Sequence, residues 1–317
     1  MHPRREFLML ADQIAYVALA SNNPDDTCTV LERHLGLQRS ELESPHGKVP
    51  VFALGRSALA VFPLAHPMLD GDGKAGVHHI ALGVDDLDAA ARSAAEAGAA
   101  TEGAAVAGLG GRKTMTLART GTVGVRMRLT ERLDLHPQPD AAVERIDHMG
   151  VGTADVFEAE RVFSGKFGFP VESRQTDMEV NTAIESFTSD KYGVVYHSRP
   201  PEPVGGLRVY FITVGDCELE FLANFDPRQD ARSERLQSGS TRQDQGAITR
   251  FVASRGAGLH HVALKVRDID RTLSAMAQAG LPMLDVKGRP GSRRARIGFP
   301  HPRATGGVLM HLVQRDD

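Results

Sequence analysis

The sequence predicts an α+β protein built from four βαβββ units, arranged as two tandem modules. Two observations carry that prediction and a third suits it. The stretch 76–88 and the stretch 258–270 align over thirteen positions without a gap, and internal repetition fixes architecture ahead of any residue chemistry. Within each copy a short apolar run, a helical pattern and further short runs follow one another, and then the series repeats. The chain's 32 glycines and absence of tryptophan suit many short strands joined by tight turns.

The repeat extends outward from its best-matched stretch. Gln13–Leu19 matches Arg145–Val151, Gly55–Val61 matches Gly215–Phe221, and Gly124–Leu129 matches Gly307–Leu312. His79 and Arg128 are 49 residues apart, and His261 and His311 are 50 apart. Tyr16 and His79, by contrast, are separated by 63 residues, and their counterparts His148 and His261 by 113. The second copy therefore carries two insertions, one before Gly215 and one after Glu220.

In the second copy Ile146–Gly152 reads as a strand, and Thr153 or Asp155 can cap a helix that runs to about Phe167 and stops at Gly168. Leu207–Val214 and Cys217–Ala223 read as a hairpin about Gly215-Asp216. His261–Val266 is the next strand. Asp268 can cap a helix over Ile269–Ala279, with Leu273, Met276 and Ala277 at helical spacing before Gly280. Arg294–Phe299 and Val308–Gln314 close the unit. Pro137 and Pro139 mark Asp134–Ala142 as the linker, which gives an N-terminal module over 1–135 and a C-terminal one over 143–317. Residues 226–246, rich in Asp, Arg, Gln and Ser, read as a solvated excursion.

Composition bounds the class of function. At 317 residues, 41% hydrophobic and 24% charged, the chain is an ordinary globular protein of two domains. A net charge of −3 implies no bulk attraction to nucleic acid or to an anionic membrane. No apolar stretch approaches the ~20 residues of a membrane span, and the first ten residues lack the apolar core of a signal peptide. Cys28 and Cys217, one in each copy, read as free thiols in a reducing cytosol. The expected partner is a small-molecule substrate in the cytoplasm. Two modules in one chain can satisfy what single modules achieve by pairing, and a homodimer stays open.

Four side chains at matched landmarks carry the chemistry. His148 lies on the first strand of the second copy, Glu220 on the last strand of that unit, His261 at the start of the next, and His311 on its closing strand. If the two half-modules pair about a pseudo-twofold axis, these four converge in one cleft, with the rings of His148 and His261 within about 8 Å of each other. Imidazoles with a carboxylate suit a borderline divalent cation, Zn, Fe, Co or Ni. The adjacent His260 and His261 should point to opposite faces of a strand, so one of them at most is a ligand. The first copy is an internal control: its equivalents are Tyr16, Ala60, His79 and Arg128, and an alanine and a fixed cation do not suit a metal. That module is expected to be metal-free, with Arg128 as a potential anion contact.

These stretches resemble the vicinal oxygen chelate superfamily, which includes glyoxalase I, methylmalonyl-CoA epimerase, extradiol dioxygenases and 4-hydroxyphenylpyruvate dioxygenase. The resemblance rests on Ile146–Val151, Val209–Leu222, Phe251–Leu264 and Phe299–Leu312. It implies curved mixed sheets around a cleft, and it places the family's metal positions on His148, Glu220, His261 and His311. The family usually has Glu at the position of His311, so this chain departs from both the epimerase and the dioxygenase pattern there.

The first functional expectation is a divalent-metal lyase or isomerase that chelates neighbouring oxygens of a carbonyl compound and stabilises an enolate or enediolate. His311 could be a ligand or the base, and the insertion 171–205 could bring a second group, with His197 favoured among Glu172, Asp177, Glu179, Glu185, Tyr192, Tyr196 and His197. The alternatives are an Fe(II)-dependent dioxygenase and a non-catalytic small-molecule binding protein. Arg289, Arg293, Arg294 and Arg296 could attract an anionic substrate or form a charged turn.

Overall fold

In the computed structural model, residues 9–70, 73–137, 141–182, 184–198, 200–226 and 246–316 are described. Most of the expected excursion lies outside the described residues, as does the side chain of Glu179. The N-terminal half holds β1 (Ile14–Ser21), α1 (Pro24–Thr29), β2 (Arg39–Ser44), β3 (Gly47–Leu54) and β4 (Ser57–Pro63), then β5 (Gly76–Val84), α2 (Leu87–Glu96), β6 (Thr101–Ala107), β7 (Lys113–Leu117) and β8 (Met127–Glu131). The C-terminal half holds β9 (Val143–Gly152), α3 (Val156–Phe163), β10 (Val171–Asn181), β11 (Ile184–Ser189), β12 (Gly193–Ser198), β13 (Glu202–Val214) and β14 (Cys217–Phe225). It continues through α4 (Ala247–Arg255), β15 (Gly258–Val266), α5 (Ile269–Gln278), β16 (Arg289–Pro290), β17 (Arg296–Gly298) and β18 (Met310–Gln314).

The strands form two eight-stranded, curled mixed sheets with the same order, β2-β3-β4-β1-β5-β8-β7-β6 and β10-β13-β14-β9-β15-β18-β17-β16. Each is two βαβββ units joined edge to edge by an antiparallel pair, β1 with β5 and β9 with β15. Within a unit the first and last strands pair in parallel, as β9 does with β14 and β15 with β18. The helices start where a side chain caps them. Asp155 accepts from the Phe157 amide and Asp268 from the Arg271 amide, and each satisfies an amide that has no partner within its helix. One apolar core runs through both sheets, from Ile14 and Leu59 to Phe163, Phe221 and Leu312.

Several boundaries differ from the sequence expectation. α3 ends at Phe163 and the chain turns through Gly165 before Phe167. β17 starts at Arg296, because Arg293 and Arg294 sit in the left-handed region at φ 53° and 59° and cannot continue a strand. β18 starts at Met310, because Gly306 and Gly307 carry a turn that the Val308 amide closes onto Thr305. The first insertion lengthens β10 and β13 and adds a separate two-stranded sheet, β11 with β12. Among the described residues no helix is long and apolar enough to cross a membrane.

Candidate metal centre

Strand register brings the four landmark residues together in two rows. His148 on β9 is opposite Ala263 on β15, which is opposite His311 on β18. One step along, Glu220 on β14 is opposite Gly150 on β9, which is opposite His261 on β15. Side chains two residues apart share a face, so both rows look into the same hollow of the curled sheet. In each row a residue with little or no side chain separates two polar ones. Ala263 leaves the space in which His148 and His311 lean together, and Gly150 leaves the space that the His261 ring fills. A Cβ on Gly150 would sit 2.0 Å from His261 Cε1.

The rings are close. Centroids are 5.4 Å apart for His148 and His261, 5.1 Å for His148 and His311, and 4.8 Å for His261 and His311. One ligand atom from each histidine lies within 4.8 Å of the other two, all three residues are buried, and together they could hold a metal ion. His148 Nε2 and His261 Nε2 are 3.3 Å apart, and the Glu220 carboxylate lies 3.4 Å from the first and 3.3 Å from the second. Ligands bound tetrahedrally at ~2.0–2.1 Å are separated by about 3.3–3.4 Å, so these three spacings match those around one shared ion.

Hydrogen bonding fits the same reading. Among the described residues neither ring nitrogen of the buried His311 has a partner, which is unusual for a buried polar group and leaves both nitrogens available to a ligand. The other two histidines are each held at Nδ1 and aimed with Nε2 inward. His148 Nδ1 donates to Asp147 Oδ2 at 2.8 Å, and His261 Nδ1 is 3.0 Å from His260 Nδ1. Metal-binding histidines are oriented by this kind of partner on the remote nitrogen. Asp147 is fully buried and is itself paired with Arg145 at 3.4 Å and with Arg315.

The charged groups of the site offset one another's burial. Burial alone would raise the Glu220 carboxyl, but His148 and then His261 hold it well below the usual range. Burial likewise opposes charge on Asp147, yet His148, Arg315 and Arg145 bring it down to about 2. His148 is raised to about 9: burial disfavours its cation, and Glu220 and Asp147 more than offset that. Burial first, then His261 and His148, push His311 well down, so its ring is neutral and free to ligate.

The surrounding cavity, about 200 Å³, is walled by Leu207, Phe211, Ile248 and Phe299, with Arg289 and Arg315 on its polar side. His260 also lines it, contrary to the expectation that neighbouring histidines face opposite ways. The reason is a bulge: β9–β15 pairing jumps from Leu259 to His261 and leaves His260 without a cross-strand partner. The His260 ring stacks edge-on against Phe251, with centroids 4.7 Å apart. The first copy has the same bulge at His78, whose Nδ1 lies 2.8 Å from His79 Nδ1.

The structure does not bring His197 to this site. It sits exposed on β12, opposite Glu185 in the outer hairpin, and is not among the residues that wall the cavity. Tyr192 and Tyr196 are exposed there too. Of the arginine cluster only Arg289 reaches the cavity. Arg293 pairs with Glu172 and Glu218 over the Phe211 ring, and Arg296 pairs with Asp270. Sequence reasoning missed Asp147, Gly150 and Ala263. The repeat alignment held a signal for the first two, because the equivalent residues in the first copy are Ala15 and Ala18.

Two family models of the glyoxalase/bleomycin resistance protein/dioxygenase superfamily match the chain, one at residues 147–299 and the other at 13–123. The chain belongs to this superfamily, the vicinal oxygen chelate group, with two of its domains in tandem. The protein YqjC of Bacillus subtilis is 33% identical over 174 residues, which is 54% of this chain and 93% of that protein. Mitochondrial methylmalonyl-CoA epimerase of Mus musculus is 27% identical over 130 residues, 41% of this chain and 64% of the epimerase. The solved structure of a 4-hydroxymandelate synthase variant from Streptomyces coelicolor shares the fold, with a TM-score of 0.60 at 17% identity over 96% of this chain and 93% of that one.

Proposed function

We propose that the chain is a divalent-metal-dependent lyase or isomerase acting on a small oxygenated carbonyl compound. In this reading the C-terminal module, 143–317, is catalytic and the N-terminal module, 1–135, is metal-free. His148, His261 and His311 would hold the ion, with Glu220 as an oxygen donor beside them. Zn, Fe, Co and Ni all suit such a donor set. The observation that carries the reading is the trio of buried imidazoles with ligand atoms within 4.8 Å, one of them with both nitrogens unpartnered.

When bound, a divalent ion supplies Lewis acidity to two neighbouring substrate oxygens. The chain's own residues supply the rest. Leu207, Phe211, Ile248 and Phe299 give the cavity an apolar wall, which strengthens charge interactions beside it. Arg289 lines the same cavity and suits a substrate carboxylate or the negative charge that develops on the substrate. When it is not holding the ion, His311 is the group placed to take a proton at a ring nitrogen. The 27% identity to an epimerase over 130 residues supports proton transfer at carbon.

A second reading is an Fe(II)-dependent dioxygenase, in which His148, His261 and Glu220 form a two-histidine, one-carboxylate set. Their mutual spacing of 3.3–3.4 Å favours it. One experiment separates the two. Metal content of the purified protein is measured, and a panel of 2-oxo acids and acyl thioesters is then incubated in deuterated buffer, once without oxygen and once with it. Deuterium entering substrate carbon supports the lyase or isomerase. Turnover that requires and consumes oxygen in an iron-loaded protein supports the dioxygenase. A protein that binds no divalent metal overturns both.

A further inference from the structure

A second cleft, of about 260 Å³, opens where β5 and β15 begin, between the two modules and away from the metal centre. Its walls carry Lys74, Arg119, Arg126 and Arg255, and none of the described residues lining it is an Asp or Glu. The whole chain is slightly acidic, at −3, so four cations around one hollow stand against the overall balance. Two of the arginines are held from both sides of the cleft by backbone oxygens. Arg119 donates to Gly124 O at 3.2 Å and across the modules to Ala257 O at 3.3 Å. Arg255 donates across in the other direction, to Ala75 O at 3.0 Å. Carbonyls satisfy these hydrogens but do not neutralise the charge.

Glycines make the space. Gly124 has φ 83°, and a Cβ there would lie 2.5 Å from Ala257 O; a Cβ on Gly258 would lie 3.3 Å from Gly124 O. The backbones thus meet closely at the floor while the long cations rise around it. His78, on the wall, is held at both ring nitrogens, by His79 at 2.8 Å and by Asp70 O at 3.3 Å, and burial and then Arg126 push it down to about 4, so it adds no charge.

We propose that this inter-module cleft is a binding site for a phosphoryl group, carried by a small phosphorylated molecule. Preset guanidinium groups match phosphate oxygens in geometry and charge. The volume, equivalent to roughly nine waters at ~30 Å³ each, admits such a group with part of its carrier. Helix α4 walls both hollows, with Ile248 facing the metal cavity and Phe251, Ser254 and Arg255 facing the cleft. An anion seated here would therefore brace one wall of the metal site. The proposal does not depend on the reaction assigned to that site.

The test is calorimetric titration of the full chain with inorganic phosphate and with pyrophosphate at low ionic strength. One saturable site is expected, and the R119Q/R255Q pair should weaken it at least about tenfold. Because both arginines also clasp the modules, a second measurement uses the unaltered protein. Pyrophosphate should protect Arg119 and Arg255, but not the exposed Arg303, from phenylglyoxal, read by peptide mass spectrometry. Absence of saturable binding, unchanged binding in a folded double variant, or equal modification with and without the anion would overturn the proposal.

Discussion

Replacing Gly150 by alanine adds one methyl group to the middle of β9 and should dismantle the metal centre. The new carbon would lie 2.0 Å from His261 Cε1, 2.3 Å from Nδ1 and 2.6 Å from Nε2. Carbon atoms in contact settle at ~3.5–4.0 Å, so the ring must retreat by about 1.5 Å. Metal–ligand distances tolerate only about ±0.2 Å. The backbone cannot give instead, because Gly150 is paired on one side with Glu220 and on the other with His261. Overpacking of this kind destabilises by about 1–3 kcal/mol, which a domain can survive, whereas the displaced ligand cannot bind. Metal affinity measured by competition with a chromogenic chelator should fall beyond the roughly 10–100-fold that loss of an outer partner produces. A folded G150A protein that binds one ion within about threefold of the parent affinity would refute the assignment of His261 as a ligand.

Asp147→Asn should weaken metal binding by about 10–100-fold, because it loosens the grip on His148 Nδ1; an unchanged chelator competition curve would count against that role. Asp147→Ala should also destabilise the fold by about 3–5 kcal/mol, since Arg145 and Arg315 lose a buried partner, and urea unfolding measures this. In the metal-free protein His148 holds its proton up to about pH 9, so metal must displace that proton at neutral pH. Affinity should therefore rise about tenfold per pH unit from 7 towards 9 and then level off; titrations at several pH values that show no slope would exclude a protonated His148. Burial pushes the Cys28 thiol up to about 11, and Cys217 is fully buried. Iodoacetamide at pH 8 should therefore label neither until the protein is unfolded. His197→Ala, on the outer hairpin, should leave metal binding unaltered, and a loss would mean that β11 and β12 fold over the cavity in solution.

The repeat made the strand scaffold readable because βαβββ units impose the same punctuation each time: an Asn or Asp cap after the first strand and a glycine turn before the last. His148, Glu220, His261 and His311 could be picked out because they fall at matched landmarks of two half-modules. What could not be read was how the rings are aimed. Strict alternation put His260 on the face opposite His261, and a bulge, which depends on pairing with a distant strand, turned it toward the cavity. Asp147 escaped notice for a related reason: next to a ligand in sequence, it should face away, yet its carboxylate reaches back to His148 Nδ1. His197 looked inward-facing because Val194 and Val195 adjoin it. The insertion instead forms its own small sheet, and those valines are exposed on it.

Comparing the two copies row by row shows why one of them reads as a metal site. In the first copy Tyr16, Ala81 and Arg128 form one row, and Ala60, Ala18 and His79 the other. There the buried polar groups satisfy one another. His79 Nε2 is 3.3 Å from the Tyr16 hydroxyl, its Nδ1 meets His78, and the Arg128 guanidinium donates to Met68 O at 2.8 Å and approaches Asp70 at 3.4 Å. A positive charge is already built in, carried by a side chain that cannot leave. In the second copy the position of Arg128 is occupied by His311, and the built-in cation is gone while two carboxylates, Glu220 and Asp147, have been added. The result is a buried cluster in which Glu220 is balanced by an imidazolium rather than by a fixed cation, beside an imidazole that finds no partner among the described residues. Buried polar groups in folded proteins are rarely left so. A removable dication would supply to the second copy the charge that Arg128 supplies to the first, and unlike a guanidinium it would keep coordination positions open to a substrate.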